Sequence, residues 1–248
     1  MSKMLFVIGL VCLLTISSRA QLASASLKLA DGFDFPVGPP NASGYYKSRG
    51  FSLLGHLGED WVSEDGSGTI FGRPVCSIGT GVVTLARDFL RAWGNVVVIR
   101  HAYLEDGQVK FIDSLYAHLN KISVSEGQPV DRGQQIGTVG TAHGIYGPHL
   151  HFEIHHNLTL GVVHTAESRV PGNYDDPTQF LDAHRTLKTF SEAVTVALNG
   201  YMMPSFPGIP AHPGSTDQTA GKFASANEIF VSSQWRTVLR RHRGKWRR

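Results

Sequence analysis

The 248 residues are 42% hydrophobic and 17% charged, the balance of an ordinary soluble protein and enough for one good core or two small ones. Twenty-seven glycines favour turns and short strands over long helices. The only cysteines are Cys12 and Cys76, which excludes a disulfide framework and a zinc site built from several thiolates.

Lys3, the apolar run Met4 to Ile16 and small residues near Ala20 or Ala25 predict an export signal over residues 1–25. The run is shorter than the ~20 residues a membrane span needs. Removing it would leave Cys76 alone, and apolar neighbours make it a small buried thiol. Residues 26–50 read as a lead-in segment and residues 51–187 as the main domain. Within that domain Val75 to Leu85, Asn95 to His101, Ser114 to His118 and His149 to His155 have the composition of strands. Pro177 suits the first position of a helix over Thr178 to Leu187. Pro204, Pro207, Pro210 and Pro213 mark residues 188–234 as a linker or wrapped arm. Residues 235–248 form a basic tail, with seven Lys/Arg and no acid from Arg236 to Arg248. The whole chain is +3, so without this tail, Lys3 and Arg19 the body is acidic. Interleaved with Trp235 and Trp246, the tail suits an anionic polymer or a membrane surface. No specific nucleic-acid partner is expected, and the protein is expected to be a monomer.

Three histidine-bearing stretches stand out. In Gly147-Pro148-His149-Leu150-His151-Phe152-Glu153, side chains two apart on a strand share a face. His149 and His151 therefore point together, with Leu150 and Phe152 directed into the core. In Gly55-His56-Leu57-Gly58-Glu59-Asp60, His56 and Asp60 are four apart and share one side of a strand or a helical turn; Glu59 has odd spacing and turns away in an extended segment. In Leu115-Tyr116-Ala117-His118-Leu119, alternation puts Tyr116 and His118 on one face and the three apolar residues on the other. Two neutral imidazoles and a carboxylate are a common zinc set for catalysis. Zinc lowers the pKa of its water from near 16 to about 7. Two further imidazoles near that water can move its proton and stabilise a tetrahedral oxyanion. Each stretch alone is as well explained by structure, and spacing does not say which histidines bind.

Together, His56-x-x-x-Asp60, Tyr116-Ala-His118-Leu and Gly147-Pro-His149-Leu-His151-Phe-Glu resemble the M23 family of zinc metallopeptidases, the lysostaphin/LytM type. The resemblance runs from about Gly50 to Leu181 and takes in Gly81-Val-Val, Gly94-Asn-Val-Val-Val-Ile-Arg-His101, the spaced glycines Gly127, Gly133 and Gly137, and Asp176-Pro177. It implies a mainly β fold, an antiparallel, open barrel-like sheet with few short helices and a groove across it. It implies one Zn2+ per chain on His56, Asp60 and His151, with His118 and His149 as the catalytic pair. The expected function is an exported zinc endopeptidase acting on peptide cross-links or stems of peptidoglycan, at the cell wall or in the periplasm. The alternative is a catalytically silent domain of the same fold that binds the wall or activates another hydrolase. Two stretches depart from the family pattern, Trp61 to Ile78 by its length and Gly140 to Tyr146 by its residues. Both are expected to border the groove.

The remaining histidines carry weaker signals. His101 ends an apolar strand and reads as structural; His143 belongs to a glycine-rich loop beside the groove. His155 and His156 are expected to leave the strand and meet solvent, and His164, His184, His212 and His242 carry no signal. The stretch Ser125 to Gly137 also resembles modules that carry biotin or lipoate. Those need a lysine in a tight turn, and none lies between Lys121 and His184.

Overall fold

The computed structural model describes residues 24–66, 68–162, 164–198 and 201. Most of the expected export signal, much of the arm and the whole basic tail lie outside the described residues.

Twelve strands and one short helix make up the described chain. The first strands are β1 (Ser24–Leu27), β2 (Tyr45–Arg49), β3 (Glu59–Ser63), β4 (Pro74–Cys76), β5 (Gly81–Asp88) and β6 (Asn95–Glu105). There follow β7 (Gln108–Ile122), β8 (Pro129–Val130), β9 (Gln135–Val139), β10 (Leu150–His155) and β11 (Tyr174–Asp175). The helix α1 (Pro177–Ala183) and β12 (Val194–Ala197) complete the order. Pro177 opens α1 and the Asp176 carboxylate accepts from the Gln179 N–H, so the Asp-Pro pair supplies both a cap and a preset φ.

Ten strands pair antiparallel in one sheet that does not close into a barrel: seven follow the path β2-β3-β10-β7-β6-β5-β8, β11 pairs with β10, and β9 pairs with β7 and β4. β10 sits between β3 and β7, with Asp60 opposite His151 on one side and Ala117 opposite His151 on the other. The functional strand is thus held along both edges.

Alternation along β10 sends Leu150, Phe152 and Ile154 into the main core with Trp61, Tyr116 and Phe180. The lead-in segment joins this core: Phe33 and Val37 are fully buried within it. Its described residues therefore pack on the domain, and only Tyr46, Ser48 and Arg49 of them reach the grooves. A second, two-stranded sheet ties β1 to β12. Farther on, Tyr201 is buried with Leu85, Leu115 and Val162.

One expectation about β7 is overturned. Tyr116 lies in the main core, yet His118 does not share its face. His118 has φ 62°, and the pairings on either side of it slip register, between Asn95 and Val97 and between Leu119 and Lys121. A left-handed residue breaks the two-residue period, and histidine tolerates that region better than most side chains. The ring is thereby turned toward His149 and His151, with centroids 4.8 and 5.5 Å away.

Candidate metal centre

His56 is held by a tight turn, in which it exchanges backbone hydrogen bonds with Ser52. Asp60 is the second residue of β3, and the chain between them runs over β10 at Gly58. A Cβ on Gly58 would lie 2.3 Å from the Phe152 carbonyl oxygen and 2.7 Å from Glu153 Cγ, so only glycine permits this approach. Glu59 turns away, as its spacing implies: it is buried, with Lys47 Nζ, Trp61 Nε1 and the Thr178 N–H donating to it.

Three ligand atoms meet at one point. His56 Nε2 is 3.0 Å from His151 Nδ1 and 3.1 Å from Asp60 Oδ1, and His151 Nδ1 is 2.9 Å from Asp60 Oδ1. Ligands about 2.0–2.1 Å from a tetrahedral zinc stand roughly 3.3 Å apart, so a slight opening admits the ion. The tautomers agree. His56 Nδ1 donates to the Gly50 carbonyl 3.1 Å away, which leaves Nε2 as a lone pair. His151 Nε2 donates to Glu153 Oε1 2.6 Å away, which leaves Nδ1 bare. Two lone pairs and a carboxylate oxygen within hydrogen-bonding distance require a positive charge among them, and their types suit a divalent cation.

Electrostatics point the same way. Burial alone would raise the Asp60 carboxyl, but the hydrogen bond from protonated His151 and the nearness of His56 hold it well below the usual carboxylate range. Burial alone would lower His151, but hydrogen bonds to Asp60 and Glu153 lift it to about 9. Without a cation, the site keeps a proton on His151.

The other two histidines flank this point. His149 Nδ1 donates to the Gly147 carbonyl at 2.8 Å, and its free Nε2 faces Asp60 Oδ1 at 3.7 Å. His118 Nδ1 donates to the Trp93 carbonyl at 3.2 Å. Burial, reinforced by His151 and His149, pushes His118 down to about 3, so it is a neutral base at ordinary pH. All four imidazoles thus have one nitrogen tied to an oxygen acceptor and the other available to the site.

A cleft of about 610 Å³ opens over the cluster, walled by Arg49, Trp93, Tyr146 and His164. A second groove of about 440 Å³ continues past Asp60, Tyr146 and His149 toward Tyr46 and Ile70. Both stretches expected at the border contribute: Ser63, Gly66, Gly68 and Ile70 from the first, Tyr146 from the second.

One expectation about the other histidines fails: His155 is buried, with Nε2 2.5 Å from Glu153 Oε2, because Tyr174 of β11 pairs over it. His156 does leave the strand and is part-exposed beside Asp175. His164, which carries no signal in the sequence, lines the cleft with Nε2 2.7 Å from Glu153 Oε1. His101 is structural, bound to the Thr80 carbonyl and Ser114 Oγ, and His143 pairs with Asp88.

Residues 55–161 match the sequence model of Peptidase family M23, a segment that contains all five motif residues. The likeness to that family is thus confined to the segment that carries the site. The chain is similar to the peptidoglycan DD-endopeptidase ShyA of Vibrio cholerae serotype O1, 44% identical over 85 residues, 34% of this chain and 17% of that protein. It is also similar to the peptidoglycan DD-endopeptidase ShyB of the same organism, 37% identical over 116 residues, 45% of this chain and 24% of that protein. Among solved structures, a zinc-containing peptidase from Vibrio cholerae is 34% identical over 50% of this chain and 37% of that one, with a TM-score of 0.36. The chain spans about a quarter or less of the length of these two curated relatives.

Proposed function

We propose that the protein is an exported zinc-dependent endopeptidase that hydrolyses peptide bonds in peptidoglycan cross-links or stems. The observation that carries this reading is the meeting of His56 Nε2, Asp60 Oδ1 and His151 Nδ1 beside His118 and His149 in an open cleft. The M23 match and relatives named as peptidoglycan DD-endopeptidases support the substrate class. A periplasmic or wall location follows from that substrate and from the export signal read in residues 1–25.

His56, Asp60 and His151 would hold one zinc, which supplies a water acidic enough to lose its proton near neutral pH and polarises the scissile carbonyl. His149 and His118 divide the remaining work. Their Nδ1 protons are committed to the Gly147 and Trp93 carbonyls, so each offers Nε2 to the reacting atoms. One accepts the proton of the attacking water at Nε2, holds it as a hydrogen bond toward the oxyanion and then passes it to the departing amine; the other accepts a hydrogen bond from the water and orients it. Tyr146, with its ring 5.0 Å from that of His118 and 5.8 Å from that of His149, walls both grooves and is placed to order a peptide across them. The basic tail would add a contact with an anionic wall polymer or membrane surface.

The deciding experiment is release of new amino groups from purified peptidoglycan, with chelator, with zinc restored, and with the His149→Ala variant. Metal-dependent release that this variant abolishes is expected. No release from walls of several chemistries, with one zinc bound per chain, would refute the substrate class; no release and no zinc would favour the silent binding domain.

A further inference from the structure

Glu153 lies two residues beyond His151 on the same face of β10 and is fully buried. Burying an ionised carboxylate is costly unless hydrogen bonds surround it. Here two imidazoles hydrogen-bond it and a third stands against it. Its Oε1 is 2.6 Å from His151 Nε2 and 2.7 Å from His164 Nε2, while Oε2 is 2.5 Å from His155 Nε2. His155 is fixed from its far side by the Tyr174 ring, 4.9 Å away and nearly perpendicular.

We propose that Glu153 is a positioning residue for the metal centre and that His164, outside the matched segment 55–161, is its support at the cleft wall. The proposal rests on the zinc reading of His56, Asp60 and His151. A carboxylate can only accept, so the proton of His151 stays on Nε2 and the Nδ1 lone pair faces Asp60 and His56. His164 reaches the same Oε1 without the alignment of a hydrogen bond, and its Nε2 has no other partner among the described residues. What orients its ring is Trp93, edge-on with centroids 4.8 Å apart. The Trp93 carbonyl also holds His118, so one residue braces both the support of the ligand and a member of the catalytic pair. Through Oε1, a change at the cleft wall reaches the ligand.

The same atoms permit a rival: His151, Glu153 and His164 offer three ligand atoms within 4.8 Å of one another, enough for a second cation. That arrangement would strip His151 of both ring protons, which the tautomer lock opposes.

The test is zinc affinity of the full chain, by competition with a chromophoric chelator, together with the visible spectrum of the cobalt(II) form. The variants are Glu153→Gln, His164→Ala and His164→Gln. The unsubstituted protein is expected to bind one zinc. Glu153→Gln is expected to weaken it about 10–100-fold and shift the cobalt bands. His164→Ala, at a part-exposed position where folding is not at stake, is expected to weaken it roughly tenfold, with partial recovery in His164→Gln, whose amide can reach the same oxygen. Folded Glu153→Gln and His164→Ala proteins with unchanged zinc affinity and cobalt bands would overturn the proposal, even if their Tm falls, since that is the mark of a purely structural role. Two zinc ions per unsubstituted chain, one of them lost in His164→Ala, would replace it with the second-cation reading. An unsubstituted protein that binds no zinc would overturn the zinc reading itself.

Discussion

His151 and Asp60 are directly opposed on neighbouring antiparallel strands, and their facing atoms Nδ1 and Oδ1 are 2.9 Å apart. The ladder between β3 and β10 therefore sets the separation of two proposed ligands, with no long loop between them. His149, at the entrance to β10, is held instead by an isolated bridge to Gly140 and by its bond to the Gly147 carbonyl. The two histidines share a strand face but differ in what holds them, in keeping with the different roles proposed for them.

This difference predicts a split between metal content and turnover. His151→Ala removes one of the three proposed ligands and is expected to yield protein with little zinc and no measurable peptide release. His149→Ala is expected to retain one zinc per chain while turnover falls about 10²–10⁴-fold, the usual range for loss of a positioned acid–base group. Metal analysis of both purified variants checks this, and equal zinc loss in both would sink the division of roles.

Zinc binding should depend steeply on pH. His151, raised to about 9 by Asp60 and Glu153, must lose a proton to take the metal. Apparent affinity is therefore expected to fall about tenfold per pH unit below pH 9, and titrations with a competing chelator at several pH values measure it. The zinc-free protein should trend the other way. The His151 value lies above its ordinary 6.5, so its contribution to stability is complete below pH 6.5 and is lost as pH rises toward 9. That contribution is on the order of 3 kcal/mol, and its loss should appear as a falling Tm over that window only when zinc is removed.

The sequence made β10 legible because a strict two-residue period needs only that the stretch be a strand. His149, His151 and the core residues Leu150 and Phe152 follow from it directly. The same period puts Glu153 and His155 on the ligand face, but the polar run His155-His156-Asn157 suggests an exit to solvent; only the long-range pairing of Tyr174 with His155 buries it. His118 escapes the period because φ 62° turns it over, a conformation that nothing local in Ala117-His118-Leu119 announces. His164 is farther still from legibility: it belongs to no strand or motif, and packing against Trp93 from another loop gives it its place.

Gly58 should be intolerant of any side chain. A Cβ there would press 2.3 Å from the Phe152 carbonyl oxygen, a backbone atom of the ligand strand that cannot swing aside. Gly58→Ala is expected to cost about 1–3 kcal/mol and to loosen zinc binding, because relief of the clash lifts His56 and Asp60 off β10. Gly50→Ala is the control: it has open space around it and keeps the carbonyl that orients His56. Urea denaturation and zinc titration of the pair distinguish close packing from a general effect of losing glycine; equal behaviour of the two would refute the packing argument.

The attachment of the chain beyond β12 rests on a buried charge pair. Arg100 donates to both Asp113 oxygens at 2.8 Å, to the Leu158 carbonyl at 2.8 Å and to the Ala197 carbonyl at 2.5 Å; Tyr201 donates to Asp113 Oδ2 at 3.0 Å. Removing one partner of such a pair strands the other in the interior, so Arg100→Met is expected to cost about 3–5 kcal/mol. Tyr201→Phe keeps the ring beside Gly161 and Val162 and deletes only the hydroxyl that Thr84 and Asp113 share, with an expected cost of about 1–2 kcal/mol. Val162 lines the cleft next to His164, whereas Asp113 lies outside it. Tyr201→Ala, which takes the ring away from Gly161 and Val162, should therefore lower turnover more than Tyr201→Phe does at matched fractions of folded protein. Urea denaturation and peptide release, measured on the three variants side by side, test this ordering; identical turnover in both tyrosine variants would show that the arm stabilises the domain without shaping the cleft.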